Sequence, residues 1–258
     1  MTTERVAAVE EWLDRLYIAA EGAGLREEDR RKALEVAAML GEIERAAARI
    51  TRRAPLVLVD AAAGKSYVGL LAAKLVLEPA GRPAVVITIE REASRVEASR
   101  RAAERLRTQV PIECRHAEVS DPAAWPTSPS IVVALHACGE AADEIIERAD
   151  AAGVRELLLV PCCTSRAVEA AVRAEARADR SDVPRHAPVR RRFIQALVDA
   201  ERTWRLEAGG YETEVVEFVG ATVTPHNLLW RARKVGEPHR VAAAQRALGR
   251  IRSGAGPV

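Results

Sequence analysis

The chain has 258 residues, of which 48% are hydrophobic and 29% are charged, and its formal net charge is +2. These values fit one globular α/β domain with an added helical segment, and a charge this small does not by itself indicate a nucleic-acid partner. No run approaches the roughly 18 apolar residues that span a bilayer, the charged N-terminus lacks the apolar core of a signal peptide, and four cysteines suit a reducing compartment. We therefore expect a cytoplasmic protein with no membrane partner.

The first fifty residues predict two amphipathic helices. Apolar residues recur at spacings of three and four over 3–21 and again over 29–51, and Gly22-Ala-Gly24 separates the two stretches. We expect residues 1–52 to form a helical cap on the rest of the protein, and the alternative is a partner-binding arm.

From residue 55 the pattern changes to short apolar runs that alternate with helical stretches. The strand candidates are 56–60, 84–90, 111–116, 130–135 and 156–161. Strands that alternate with helices predict a parallel sheet with right-handed crossovers.

The end of the pattern differs. A helix is predicted over 189–209, and the strand candidates 211–219 and 227–233 follow with a link too short for a crossover helix. An antiparallel hairpin is therefore expected. The predicted fold class is a doubly wound, seven-stranded, mostly parallel α/β sheet with an antiparallel last strand. It spans 53–235, and the basic tail 236–258 is either one more helix or disordered.

A loop of small residues after the first strand predicts a nucleotide-like ligand, because small residues let a ligand approach the backbone and the next helix offers free N–H groups. A phosphate-binding P-loop requires a glycine five positions before Gly64, where Val59 lies. A dinucleotide site requires glycines where Ala61, Ala62 and Ala63 lie. Both alternatives fit poorly.

S-adenosylmethionine fits better because its adenosyl group carries no phosphate. Such a ligand needs a small-residue turn after the first strand and an acidic residue at the end of the second, which holds both ribose hydroxyls. Glu90 closes the second strand, and its carboxylate would accept these hydrogen bonds. The sequence predicts S-adenosyl-L-methionine as cofactor and S-adenosyl-L-homocysteine as product.

Four short motifs then give a more specific resemblance. They are Val59-Asp-Ala-Ala-Ala-Gly-Lys-Ser66, Ala134-Leu-His-Ala-Cys-Gly-Glu140, Val160-Pro-Cys-Cys163 and Thr224-Pro-His-Asn-Leu-Leu-Trp230. Together they resemble one branch of the class I methyltransferases, which is similar to the acceptor-stem tRNA ribose methyltransferases and to methyltransferase-like proteins. The resemblance covers about 55–234. It implies a methyltransferase that acts on an oxygen or nitrogen acceptor, with RNA as a possible substrate.

The predicted cofactor site follows from these motifs. Asp60 is expected near the ammonium group of the cofactor or as a cap of the next helix, and Lys65 either near its carboxylate or in solvent. Glu118 or its rival Asp121 would bind the adenine amino group. The full set of cofactor residues is Asp60, Ala61, Ala62, Gly64, Lys65, Glu90, Glu118 and Leu135.

The predicted catalytic residues lie at the ends of the fourth and fifth strands, which are neighbours in the usual order of this fold. They are His136, Cys138, Cys162 and Cys163. His136 would position or deprotonate a hydroxyl or amine acceptor. The cysteines either take part or pack the end of the sheet, and no metal is predicted because a C-x-x-C pair is missing.

Substrate contacts are predicted at Arg190, Arg191 and Arg192, which form the densest basic cluster, and at His226 and Asn227, which start the last strand. Phosphates of an RNA would suit the arginines, and a solvated helix face is the alternative. DNA is not specifically indicated and the oligomeric state stays open. The other functions are a small-molecule or protein methyltransferase of this fold, and a cofactor-binding scaffold or partner subunit without catalysis.

Overall fold

The structure is a computed structural model that describes residues 2–19, 22, 24–162 and 167–253. The helices are α1 (Thr3–Leu13, continued by a π-helical turn over Asp14–Ile18), α2 (Glu27–Arg49), α3 (Tyr67–Ala72), α4 (Glu78–Ala80), α5 (Ala93–Leu106), α6 (Ala141–Ala151), α7 (Glu169–Arg180), α8 (Ala187–Ala208) and α9 (Pro238–Ser253). The strands are β1 (Leu56–Ala61), β2 (Ala84–Glu90), β3 (Ile112–His116), β4 (Ile131–Ala137), β5 (Glu156–Pro161), β6 (Tyr211–Glu217) and β7 (Leu228–Lys234).

One seven-stranded sheet organises the chain, in the order β3-β2-β1-β4-β5-β7-β6. Strands β1 to β5 are parallel, and β7 runs antiparallel to both β5 and β6. The predicted fold class is confirmed. The strand order reverses between β1 and β4, which makes the carboxyl ends of these two strands the place where a sheet of this kind binds its ligand.

The two faces of the sheet have separate cores because side chains alternate along each strand. In β1, Leu56 and Leu58 pack with α1, α2 and α3, whereas Val57 and Val59 pack with α6 on the opposite face. Almost all of this core is aliphatic, since only 3% of the residues are aromatic.

The N-terminal helices pack directly on the sheet. Buried side chains of α2 lie in the same apolar cluster as β1. Two ion pairs attach the other flank of α2, where Arg49 Nη2 lies 2.8 Å from Glu156 Oε2 on β5, and Arg231 Nη2 on β7 lies 2.8 Å from Glu42 Oε1. These contacts fix the rotation of α2 about its axis.

The C-terminal helices α7, α8 and α9 extend the fold beyond the sheet. Helices α7 and α8 share a small apolar cluster, and α9, which is the described part of the tail, packs on α8. In the part of the chain that is described, none of the helices is long and apolar enough to cross a membrane.

Candidate active site

A cleft of about 430 Å³ lies at the carboxyl ends of β1, β2 and β4. This is the switch point of the sheet, and the volume is in the range of small-molecule and cofactor sites. Five of the residues predicted for the site line it: Ala62, Glu90, Glu118, His136 and Cys138. The sequence analysis missed other polar residues of its wall, namely Arg91, Arg95, Glu140 and Glu144.

The loop after β1 alternates between ordinary and left-handed backbone. Ala62, Gly64 and Ser66 have φ angles of 53°, 58° and 59°. A left-handed conformation costs an L-residue about 1–2 kcal/mol, so other contacts must hold the loop. The N–H of Ala63 donates to the Ile89 carbonyl at 3.0 Å, and the Ser66 hydroxyl, which is fully buried, accepts from Ser99 Oγ at 3.0 Å.

Glu90, the predicted ribose ligand, ends β2 and lines the cleft. Only 5% of the residue is exposed, at the cleft wall. Its Oε2 accepts the N–H of Gly64 at 2.8 Å, and its Oε1 accepts the N–H of Glu92 at 2.9 Å. A carboxylate offers about four lone-pair positions, so both oxygens keep the capacity to accept a ribose hydroxyl. The residues present therefore fit an adenosyl cofactor.

Asp60 lies beneath α3, and among the described residues it is not part of the cleft wall. Its Oδ2 accepts the N–H of Gly69, in the first turn of α3, at 2.8 Å. Burial raises the pKa of Asp60 to about 7, the charge of Glu90 adds to this rise, and the hydrogen bond from Gly69 opposes it. The structure therefore places Asp60 as the helix cap, which is the alternative given above.

The other cofactor candidates differ in their surroundings. Lys65 is exposed, and its carbonyl accepts the hydroxyl of Tyr17 at 2.7 Å, so the N-terminal segment holds the loop through the backbone. Ala61 is fully buried among apolar side chains, and Leu135 packs against the core. Asp121 caps a local turn by accepting the N–H of Ala123 at 2.9 Å, whereas its rival Glu118 lines the cleft.

His136 occupies a bulge in β4. The register with β5 shifts between Leu135 and Ala137, and His136, the residue between them, has a φ angle of 62°. Bulges re-aim side chains, and left-handed backbone at a residue other than glycine is concentrated at functional sites. The bulge brings His136 Nε2 to 2.7 Å from Glu35 Oε1 on α2.

Glu35 is a buried carboxylate that the sequence analysis did not identify. Its Oε2 accepts from Lys32 Nζ at 2.9 Å. Burial alone would raise the pKa of Glu35, but the hydrogen bonds from His136 and Lys32 and their charges lower it below its usual value. The detectable signal was a carboxylate beside Val36 on the flank of an apolar stripe, where it needs a buried partner.

The cysteine cluster contains a bridge that the sequence does not predict. Cys138 and Cys162 form a disulfide between the ends of β4 and β5, with their Cα atoms 5.3 Å apart. In this form neither sulfur is a thiolate nucleophile. Cys163 lies outside the described residues. Within the ranges that the structure covers, no three His, Cys, Asp or Glu side chains are grouped as metal ligands.

The predicted substrate residues divide into two groups. His226 lies close enough to interact electrostatically with the dyad of His136 and Glu35: its pKa is lowered by partial burial and by His136, and Glu35 opposes this shift. Asn227 is buried and its amide donates to the Val219 carbonyl at 3.1 Å, so this residue holds the β6–β7 turn. Its side chain is therefore engaged within the protein.

The basic cluster is not among the residues that line the cleft. Arg190 pairs with Asp179 of α7 at 2.7 Å, whereas Arg191 and Arg192 are exposed. Further along α8, Arg202 pairs with Asp143 at the start of α6, beside the cleft, at 2.9 Å. A helix rises 1.5 Å per residue, which puts the cluster about 16 Å along α8 from that point.

With this geometry in place, comparison with known proteins identifies the class. Residues 31–170, more than half of the chain, match the family described as "Methyltransferase domain". The chain therefore belongs to this methyltransferase family. With the class I fold, this makes it an enzyme whose cofactor is S-adenosyl-L-methionine and whose product is S-adenosyl-L-homocysteine, as predicted. The chain has no match among curated protein sequences.

Solved structures give only distant similarity. The ribosomal protein L11 methylase of Lactobacillus delbrueckii subsp. bulgaricus is 15% identical, with 80% of each chain covered and a TM-score of 0.47. The magnesium protoporphyrin IX methyltransferase of Synechocystis PCC 6803, solved with bound SAH, is 13% identical, with 89% of this chain and 99% of that chain covered and a TM-score of 0.49. At these values the similarity carries no information about the substrate.

Proposed function

We propose that this enzyme methylates a hydroxyl or amine group whose proton His136 accepts. The observation that supports this proposal is the bulge in β4, which puts an imidazole with left-handed backbone on the wall of the cofactor cleft. A base at this position is useful only if the acceptor atom carries a proton at working pH.

The cofactor would lie along the cleft, with Glu90 on its ribose and Glu118 near its adenine. The backbone of Ala62, in the loop of small residues after β1, would lie against it. When bound, S-adenosyl-L-methionine supplies a methyl group that is already activated on a sulfonium. The acceptor atom would bond to the methyl carbon as the carbon–sulfur bond breaks, and the sulfur would keep the electron pair and leave as a thioether. The acceptor proton goes to His136.

The main contribution of the protein is orientation. Holding the acceptor in line with the methyl group can supply roughly 7–11 kcal/mol of the reduction in the barrier. His226, which interacts electrostatically with the dyad, would contact the acceptor. The charged walls of the cleft favour a polar acceptor over an apolar one.

An RNA is the acceptor that we propose. Arg191 and Arg192, together with the exposed Arg185, form a basic tip on the α7–α8 pair. Because this tip lies about 16 Å along α8 from Arg202, which pairs with Asp143 at the start of α6, a substrate that contacts both the tip and the cleft would have to be large. The resemblance to tRNA ribose methyltransferases supports the same class of substrate.

The role of His136 is tested with His136→Asn, because asparagine tolerates left-handed backbone and has no basic nitrogen. We expect methyl transfer from labelled cofactor to fall roughly 10²–10⁴-fold, while calorimetry shows unchanged affinity for S-adenosyl-L-homocysteine. The matched control is His239→Asn, which replaces an exposed histidine of α9. Equal turnover by His136→Asn and the parent would remove His136 from the mechanism.

The substrate class is tested by offering RNA, protein and small-molecule fractions of a cell extract with the labelled cofactor. We expect label in RNA, and label in either of the other fractions alone would refute the RNA proposal. For the labelled RNA, the double variant Arg191→Gln/Arg192→Gln should bind more weakly, with a salt dependence reduced by about 1–2 counterions. Arg100→Gln/Arg101→Gln on α5 removes the same charge elsewhere and should leave binding unchanged.

A further inference from the structure

We infer that Glu35, on the N-terminal helix α2, is the positioning residue of the catalytic base: it holds His136 with the proton on Nε2 and thereby presents Nδ1 to the acceptor. This inference rests on the proposed role of His136. It gives the N-terminal helical segment, whose role the sequence left open, a part in the active site.

Two independent structural features converge on this contact. The bulge in β4 turns His136 out of the regular strand alternation, and its Nε2 lies 2.7 Å from Glu35 Oε1. On the other side, Glu35 is 4% exposed in a helix that is fixed by apolar packing and by the ion pairs of Glu42 and Arg49. The backbone of both elements is thus held in place on either side of the contact.

The contact settles which ring nitrogen is free. A carboxylate only accepts hydrogen bonds, so the nitrogen that faces Glu35 must carry a proton. In the neutral imidazole the other nitrogen, Nδ1, then has the lone pair. When Nδ1 takes up the acceptor proton, the charged imidazole forms beside an ionised carboxylate, which stabilises it.

The second carboxylate oxygen of Glu35 also has a partner, which stabilises the contact with His136. Lys32 Nζ lies 2.9 Å from Glu35 Oε2, one turn earlier on α2, and the lowered pKa of Glu35 means that it stays ionised at neutral pH. The charged or titratable groups around His136 are thus Glu35 and Lys32 from α2, and His226 from the segment before β7. The charged groups of the cleft wall are Glu90, Arg91, Arg95, Glu118, Glu140 and Glu144.

The first test reads the tautomer without any substrate or cofactor. Nitrogen-15 NMR of the five histidines, with His136 assigned by its loss in His136→Asn, distinguishes Nε2–H from Nδ1–H in the parent protein. We expect the Nε2–H form. An Nδ1–H form in the folded parent would overturn the inference, and this measurement requires no variant at Glu35.

The second test compares Glu35→Gln with Glu42→Gln. Glu42 is equally buried, at 5% exposed, and lies two turns further along α2, where it pairs with Arg231 and Arg45. Both variants lose one buried carboxylate. Only Glu35→Gln should lower kcat, by about tenfold or more with KM unchanged, move the acidic limb of the pH–rate profile to lower pH, and increase the Nδ1–H form.

The outcomes separate the two proposals. If Glu35→Gln and Glu42→Gln change stability alike and leave the tautomer and the pH profile alone, Glu35 is a structural residue and the inference fails. If the Nε2–H form is found but His136→Asn is fully active, the positioning contact exists and the proposed base is wrong. If Glu35→Gln does not fold, the inference is tested by the tautomer of His136 in the parent protein, as measured by NMR.

Discussion

Glu90 is the residue that connects the loop after β1 with the wall of the cleft. It accepts the N–H of Gly64 and that of Glu92, and it lines the cleft with both oxygens still able to accept a further hydrogen bond. One carboxylate thus orders the loop and forms part of the site that the loop borders. This double use explains why a single acidic residue at the end of β2 was informative at the level of sequence.

We expect Glu90→Gln to weaken binding of S-adenosyl-L-homocysteine. A hydrogen bond to a charged acceptor contributes about 1.5–3 kcal/mol, which corresponds to roughly a 10- to 150-fold increase in Kd by calorimetry. Glu97→Gln, on the exposed face of α5, is the control for charge loss and should bind normally. An unchanged Kd in a folded Glu90→Gln protein would show that the cofactor lies elsewhere.

At the scale of elements, the contact between β1 and α3 is made by the carboxyl group of Asp60, whose ionised form is disfavoured by burial. Asp60 is buried under α3 with the N–H of Gly69 on its Oδ2. Gly69 has to be small here, because an added Cβ would lie 3.0 Å from Asp60 Oδ2 and 3.1 Å from Thr88 Cγ2. The strand and the helix therefore meet more closely than two side-chain-bearing residues permit.

This contact makes stability depend on pH. The folded pKa of Asp60, about 7, lies above its value in the unfolded chain, so the folded protein holds the proton more tightly. Proton binding by Asp60 therefore makes its full contribution to the free energy of unfolding below about pH 4, and this contribution is lost as the pH rises through about 7. We expect Asp60→Asn to reduce this loss in urea unfolding between pH 5 and 8, whereas Glu97→Gln keeps it. An identical pH dependence in Asp60→Asn and the parent would contradict the shift.

The strands were predictable because their signals are local. A run such as 84–90 is apolar, β-branched and closed by one acid, and the carboxyl ends of parallel strands meet at one edge whatever the helices do. This is why Glu90, Glu118 and His136 lie on the wall of one cleft. Family membership then confirmed the enzyme class and the cofactor, while the RNA substrate and the individual site roles stay predictions.

The contacts that could not be predicted from the sequence depend on how elements that are distant in the chain pack together. Glu35 and His136 are 101 positions apart, and their contact requires both the rotation of α2 and the bulge in β4. Asp60 was placed near the cofactor from its position after β1, but the direction of its side chain is set by the approach of α3. The bridge between Cys138 and Cys162 likewise depends on how the ends of β4 and β5 meet.

At the scale of the whole molecule, the first fifty residues and the sheet form one packed body, in which α2 contacts β4, β5 and β7 and the segment before it contacts the loop after β1 through Tyr17. The matched family region already begins within α2, at residue 31, and so includes Lys32 and Glu35. The helical segment therefore contacts the cleft wall through one pair of residues, Glu35 and His136.

The left-handed backbone at His136 also limits which residues can replace it. Asparagine and glycine accept this conformation most readily, so either one can occupy the position with the bulge in β4 intact.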